Sequence, residues 1–307
     1  MKIIGTGSAH PTCAVSNEML EQFLETTDEW ITERTGIKER CVISSEKLED
    51  LAVEAANKAL ENAGLTAADI DFLICSNVVN EYVTPALSCI IQGKIGATCP
   101  TIDINAACAG FIYALDMAED KLQCKKAKNI LIVCAEEPSR MVSWQNRSTC
   151  VLFGDGAGAA VIKRNPQKKF YGVWGTEGNK EALGCRGHLT GSPYIYMDGQ
   201  TVFRFATQYM TKAAKMVLEQ ANLTMDDIDY VLCHQANERI IDYVRKQFKA
   251  PEEKFFKIIH KYGNTSAASI PLGLAEMDEQ GLLTPGKKVV IVGFGAGFTW
   301  GSMLLEF

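Results

Sequence analysis

The chain has 307 residues, 47% of them hydrophobic and 22% charged, the balance of a globular protein with one large α/β unit or two ordinary domains. Its 37 acidic and 31 basic residues leave a net charge of −6, which argues against nucleic acid as the main partner. No apolar run approaches the ~20 residues of a membrane span, and the opening MKIIGTGSAHPT meets glycine and proline before a signal core can build. A cytoplasmic protein with no membrane contact is expected. Eleven cysteines, none of them in a CxxC pair, point to reduced thiols and away from a disulfide framework or a metal site.

Apolar residues at helical spacing predict a helix over 51–62. It leads into AGLTAADIDFLIC at 63–75, whose end reads as a short buried strand. Residues 101–107, TIDINAA, read as a strand and its exit. Cys108 comes next, and the following AGFIYALDMAEDKL sets Phe111, Leu115, Ala118 and Leu122 on one helical face. KNILIV at 128–133 is a further strand, and AAVIK at 159–163 another, preceded by Gly154-Asp-Gly156-Ala-Gly158. The same pattern then returns. A predicted helix over 207–220 leads into ANLTMDDIDYVLC at 221–233, 158 residues after its first copy, and KKVVIV at 287–292 lies 159 after KNILIV. At that same shift Asn105-Ala-Ala-Cys108 falls opposite Asn264-Thr-Ser-Ala267. The chain therefore reads as a duplication, with halves 1–167 and 168–307 meeting near Asn165-Pro166. The expected fold is α/β, two βα halves related by a pseudo-twofold axis and packed as one rigid body.

Cys108 sits where a strand gives way to a helix, so its sulfur lies beside free backbone N–H groups whose partial positive charge favours a thiolate. Ala106, Ala107, Ala109 and Gly110 leave room for a substrate. The bland alternative is a small buried residue filling space between helix and sheet. His234 directly follows the repeated strand, at the carboxyl end where α/β sites form, or else is an ordinary satisfied polar residue. Asn264, the counterpart of Asn105, is either a turn or N-cap residue or a group that the pseudo-twofold turns toward Cys108. Gly293-Phe-Gly295-Ala-Gly297 follows a strand but fails as a dinucleotide fingerprint: residue 298 is Phe and the sequence stops at Phe307. Close approach of backbone to a site is the better reading, with an N–H donated to an oxyanion.

DINAACAGF, HQANERI, YGNTSAASIP and GFGAGFTWG, with TTDEWITERTGIKER and FGDGAGAAV, together resemble β-ketoacyl-acyl-carrier-protein synthase III, a condensing enzyme of the thiolase-like superfamily. The likeness runs over the whole chain. It implies the duplicated thiolase-like fold, layered α-β-α-β-α. It also implies a two-stage decarboxylating condensation: Cys108 is acylated by a short acyl-CoA, expected to be acetyl-CoA, and malonyl-acyl-carrier-protein then supplies the carbon nucleophile. His234 and Asn264 would complete the catalytic set, and the backbone N–H groups of Cys108 and Ala296 the oxyanion hole. A second histidine at 264 would suit an elongating synthase, and a second catalytic cysteine a thiolase. Trp30 and Arg147 would sandwich the adenine of CoA, with Arg34 near its phosphates, or else form a surface cluster. Thr84 and Phe153 fall at acyl-pocket positions. Thr84 stands where many members carry a bulky Phe contributed across a dimer, so primers longer or more branched than acetyl are expected to fit. Arg204, Arg239 and Lys246 would dock the acidic carrier, with Asp242 weakening that face, and Glu238 is an unusual neighbour to Arg239. Ala296 replaces a common glycine, which is harmless if its φ is negative. A homodimer with no cofactor beyond the acyl-CoA substrate is expected. The competing readings are a secondary-metabolism condensing enzyme or acyltransferase of the same family, and a non-catalytic scaffold subunit.

Overall fold

The structure, a computed structural model, describes residues 1–167, 169–187 and 192–307. The first half builds a five-stranded sheet from β1 (Lys2–Ala9), β2 (Phe72–Ser76), β3 (Thr101–Ile104), β4 (Asn129–Glu136) and β5 (Gly156–Lys163), in the order β1-β5-β4-β2-β3. The second half builds a four-stranded sheet from β6 (Gly172–Asn179), β7 (Tyr230–Cys233), β8 (Lys288–Gly295) and β9 (Gly297–Glu306), in the order β7-β8-β9-β6. The two orders match when β6, β7, β8 and β9 are laid on β1, β2, β4 and β5. So do the directions: β2 runs parallel to β4 and β7 to β8, while the remaining equivalent pairs are antiparallel. A single parallel bridge, Val231 to Phe255, stands where β3 has its counterpart.

The repeated sequence has a physical purpose in both copies. Thr66 and Asp69 form a capping box around a short 3-10 turn, the Thr66 N–H donating to Asp69 at 2.8 Å; Thr224 and Asp227 do the same at 2.8 Å. Two residues on, Asp71 accepts from the N–H groups of Lys128 and Asn129, and Asp229 from that of Lys288. Each aspartate thus pins the start of its strand to the neighbouring one.

Helices α1 (Leu48–Asn62) and α2 (Leu87–Ile95) cover the outer face of the first sheet. Helices α4 (Gly199–Ala221) and α5 (Glu238–Gln247) cover the outer face of the second. Between the sheets lie α3 (Gly110–Gln123) and α6 (Ser269–Glu279), and one continuous core joins Phe111, Leu115, Ile132, Leu232, Ile270 and Ile291. The five-layer architecture is the expected one. With no face left for solvent, the middle strands read as unbroken apolar runs.

Three details differ from the sequence reading. Helix α4 begins at Gly199, eight residues before the predicted start, because Asp198 caps it through the N–H groups of Gln200 and Thr201. The glycines of 154–158 do not all precede their strand: β5 starts at Gly156, and a Cβ on Gly158 would come within 2.7 Å of the Leu272 nitrogen, so bare backbone lets α6 lie against the sheet. Likewise β8 continues through Gly295, leaving Ala296 alone between β8 and β9. The chain crosses from one sheet to the other between Lys163 and Gly172; Lys168, where the second half was taken to begin, lies outside the described residues. Among the described residues, no helix is long and apolar enough to cross a membrane.

Candidate active site

The inner helices α3 and α6 each start with a 3-10 turn, Ala107–Ala109 and Ser266–Ala268. These turns are copies. Ala107 and Ser266 both take a left-handed backbone, φ 47° and 52°. Each is held by the asparagine two residues earlier: Asn105 Oδ1 accepts from the Ala107 N–H at 3.1 Å, and Asn264 Oδ1 from the Ser266 N–H at 2.9 Å. Asn264 is therefore a turn residue and a site residue at once, since its bound Oδ1 leaves the Nδ2 donor for the cavity it lines.

Cys108, His234 and Asn264 line one cavity of about 210 Å³. Its walls are largely apolar, from Val78, Phe153, Leu183, Val202, Phe203 and Ile240 among others. Cys108 keeps part of its surface on this cavity but is packed in dense protein. Burial pushes its thiol up to about 12, against the opposing pull of Ser266 and of its own backbone N–H. This corrects the expectation of a resting thiolate. The helix start does offer its partial charge, but desolvation outweighs it, so the resting group is the thiol. That thiol donates to Ser266 Oγ at 3.5 Å.

His234 is anchored by its N–H to Val292 O at 2.7 Å and stands edge-on to Phe294. Its Nδ1 lies 2.7 Å from Ser269 Oγ, which also accepts from the Gln235 N–H at 3.3 Å. When the Ser269 hydroxyl donates to Nδ1, Nε2 is the N–H of a neutral ring. Burial pushes the imidazole down to about 3, so it stays neutral at physiological pH. Ser266 and Ser269 escaped the sequence reading. Their only signal was membership of YGNTSAASIP.

Gly295 presses on the nucleophile turn. A Cβ there would fall 2.6 Å from the Cys108 nitrogen, and next to it Thr299 Oγ1 donates to Ala106 O at 2.8 Å. Ala296 lines the cavity and stays outside the left-handed region, so its side chain carries no backbone strain.

The outer positions are placed unevenly. Phe153 lines the cavity and is bridged to Asn264, whereas Thr84 is exposed and does not line the cavity of its own chain. Trp30, Arg34 and Arg147 do meet: the two guanidinium carbons lie 5.0 and 4.6 Å from the Trp30 ring centre, and Arg147 also donates to Glu25 O. Arg147 thus rests directly on Trp30, and a purine enters between them only when Arg147 swings off the ring. The cluster borders the cavity, because Asn237, which lines it, donates to Arg34 O at 3.0 Å.

Arg204, Arg239 and Lys246 are all exposed, with Arg239 6.0 Å from the ring of Phe203 at the cavity wall. Asp242 and Glu238 lie beside this patch and share Lys257, 3.0 Å and 2.7 Å away, with Glu252 at 3.2 Å.

A cysteine at a helix start, facing a histidine and a carboxamide across a duplicated α-β-α-β-α body, defines the thiolase-like condensing enzymes. The model of the family "3-Oxoacyl-[acyl-carrier-protein (ACP)] synthase III" matches residues 102–178, and that of its C-terminal part matches 218–307. A β-ketoacyl-[acyl-carrier-protein] synthase III of Clostridium perfringens is 44% identical, with 99% of this chain and 98% of that protein covered. One of Neisseria meningitidis is 43% identical over 100% and 99%. The crystal structure of 3-oxoacyl-[acyl-carrier-protein] synthase III from Aquifex aeolicus superposes with a TM-score of 0.96 at 41% identity, covering 100% of this chain and 99% of that one. The chain belongs to the 3-oxoacyl-[acyl-carrier-protein] synthase III family and is a condensing acyltransferase.

Proposed function

We propose that the protein condenses a short acyl-CoA, acetyl-CoA first, with malonyl-acyl-carrier-protein to give 3-ketoacyl-acyl-carrier-protein and CO₂, the initiating step of type II fatty-acid synthesis. Cys108 attacks the acyl-CoA thioester and expels CoA. Backbone N–H groups of Cys108 and Ala296 carry the tetrahedral oxyanion. Malonyl-carrier then loses CO₂, and the negative charge that develops on its thioester oxygen is met by His234 Nε2–H and Asn264 Nδ2–H. The enolate carbon attacks the acyl-Cys108 carbonyl, and the cysteine leaves. No metal or prosthetic group enters the scheme. The observation that carries this reading is that a thiol and two neutral donors share one largely apolar cavity, where donors act without competition from water.

Trp30, Arg34 and Arg147 fit an adenine and its phosphates at the mouth. Arg204, Arg239 and Lys246 offer a positive face to the acidic carrier in spite of the net charge of −6. A homodimer is supported by the open edge of β3, where Ile102 is exposed, and by the exposed Tyr82 and Val83. In that dimer Thr84 reaches the partner's acyl pocket and leaves it roomier than a phenylalanine does. The cytoplasm, where free cysteines stay reduced, is the proposed compartment.

The test is mass spectrometry after incubation with acetyl-CoA. An adduct of ~42 Da on Cys108, absent from Cys108→Ser, is the expected acyl-enzyme; no adduct from any acyl-CoA overturns the reading and leaves a scaffold. Arg239→Glu is expected to raise KM for malonyl-carrier and to spare malonyl-CoA. Turnover of C4 to C8 acyl-CoAs beside acetyl-CoA reports the pocket, and strict acetyl preference refutes the role given to Thr84.

A further inference from the structure

Glu136 ends β4 and is completely buried, with no salt bridge among the described residues. Its Oε2 accepts from the Val78 N–H at 3.2 Å, and Oε1 has no partner of good geometry. The strand that Glu136 ends packs against the Ser266–Ala268 turn, and the Ser266 hydroxyl and the Ala267 N–H draw its value down against the burial that raises it. The same Ser266 hydroxyl accepts from the Cys108 thiol at 3.5 Å. The duplication explains the placement. Adding 159 carries Glu136 onto Gly295 and Cys108 onto Ala267. In one half bare Gly295 backbone lies against the Cys108 nitrogen and leaves space for a substrate; in the other a carboxyl group fills the equivalent place against Ala267.

We propose that Glu136, acting through the Ser266 hydroxyl, takes the proton of Cys108 during acylation and returns it during condensation. This rests on the acyl-Cys108 reading above. In the first stage the thiol proton passes to Ser266 Oγ as the Ser266 proton passes to the Glu136 carboxylate. The sulfur lone pair forms the bond to the acyl carbon, the carbon–sulfur bond to CoA breaks, and the CoA thiolate takes a proton from solvent. In the second stage the enolate carbon bonds to the acyl carbon, the bond to Cys108 breaks, and its thiolate recovers the proton by the same route. The titratable groups that face Glu136 are Cys75 from β2, Cys134 on β4 itself and Cys108, all acids. Among the described residues no cation pairs with the carboxylate, and burial pushes it up to about 8, a stronger base than an ordinary carboxylate. One negative charge is present before and after the transfer, so buried charge moves rather than multiplies.

The test measures single-turnover acylation of Cys108 and, independently of any acyl-CoA, its alkylation by iodoacetamide, from about pH 6 to about pH 10. Wild type is expected to rise through a midpoint near pH 8 and level off above it. Glu136→Gln and Ser266→Ala are expected to react about 100-fold more slowly at pH 8 and to keep rising with pH, without the plateau. Glu136→Asp is expected to restore part of the plateau. Alanine fits position 266, because its twin Ala107 holds the same backbone conformation, so Ser266→Ala reads the relay even where Glu136→Gln folds poorly. A wild-type profile in Ser266→Ala, or a slower rate with the plateau intact in Glu136→Gln, overturns the proposal. Failure of acylation in wild type while alkylation keeps its plateau overturns the function and spares the relay.

Discussion

Ser269 holds His234 through a 2.7 Å hydrogen bond to Nδ1, at the place where the first half sets Gly110 against Ser76. A Cβ on Gly110 would lie 1.9 Å from Ser76 Oγ, so the two halves filled one junction differently: a serine and an imidazole in one, a glycine and a serine in the other. The consequence for chemistry is the tautomer. Ser269→Ala removes the group that fixes Nε2 as the donor, and leaves the Gln235 N–H short of an acceptor. Decarboxylation of malonyl-carrier is expected to slow by about 10- to 100-fold, while acylation of Cys108, which does not use the ring, changes little. Separate assays of the two half-reactions check this, and equal losses in both would point to general damage.

Gly295 admits only hydrogen where it meets Cys108. A methyl group there would stand 2.6 Å from the Cys108 nitrogen and 3.1 Å from the Ala107 side chain. Both are parts of a short turn tied by Thr299 to the Gly295 hairpin, so neither yields cheaply. Gly295→Ala is expected to push the turn away, cut acylation at least about 100-fold and lower stability by about 1–3 kcal/mol. Gly178, whose Cβ would meet nothing within 4 Å, supplies the control: Gly178→Ala is expected to acylate at the wild-type rate.

The repeat shows how much of this was legible. Thr66, Asp69 and Asp71 and their copies Thr224, Asp227 and Asp229 act on neighbours a few residues away or on the next strand, so their purpose survives in the linear order. Cys108 and His234 were found because each follows a strand of the repeated pattern, and Asn264 because the repeat sets it opposite Asn105. Ser266, Ser269 and Glu136 were not, because their roles exist only between groups more than thirty residues apart, for Ser266 and Glu136 across the two halves. The thiol of Cys108 was misjudged for a related reason. The helix start is visible in sequence, whereas the depth of packing around the sulfur is not, and depth decides its protonation. Arg147 and Trp30 were set on either side of an adenine, but a sequence cannot say that the guanidinium rests on the ring itself.

Arg40 lies completely buried and pairs with no carboxylate among the described residues; it donates to Val15 O at 2.8 Å, Asn17 Oδ1 at 2.7 Å and Val151 O at 3.0 Å. Burial lowers it only to about 10, so it remains charged at physiological pH. Its bond to Val151 steadies the segment that brackets Asn264, where Asn264 donates to Leu152 O at 2.8 Å and accepts from the Gly154 N–H at 3.1 Å. Arg40→Met keeps the bulk and strands three acceptors. A loss of about 3–5 kcal/mol is expected, read as a lower urea midpoint with unchanged slope. Condensation should fall in the surviving folded fraction, since the loosened segment holds Asn264. A midpoint within experimental error of wild type would refute the structural role.

Glu136 and His234 also set opposite pH limits on stability. The folded-state value of Glu136 is raised from 4.5 to about 8. Between those values the folded protein holds a proton that the unfolded chain has released, so stability falls as pH rises. His234 is lowered from 6.5 to about 3. Between those values the unfolded chain holds the extra proton, so stability falls as pH drops. From 4.5 to 6.5 the two slopes oppose and largely cancel, which leaves the Glu136 loss alone from 6.5 to 8 and the His234 loss alone below 4.5. Each slope approaches ~1.4 kcal/mol per pH unit. Asp155, raised to about 6 by burial, adds its own loss as pH rises toward that value, but it is common to wild type and variants. The groups that wild type and variant share cancel in a difference curve, so the difference between wild type and Glu136→Gln, measured by urea unfolding at successive pH values, is expected to tilt in favour of the variant from pH 4.5 to 8. His234→Gln is expected to gain on wild type as pH falls below 6.5. A flat difference curve for Glu136→Gln over its window would mean that the carboxyl group does not hold its proton in the fold, and would remove the base from the relay as well.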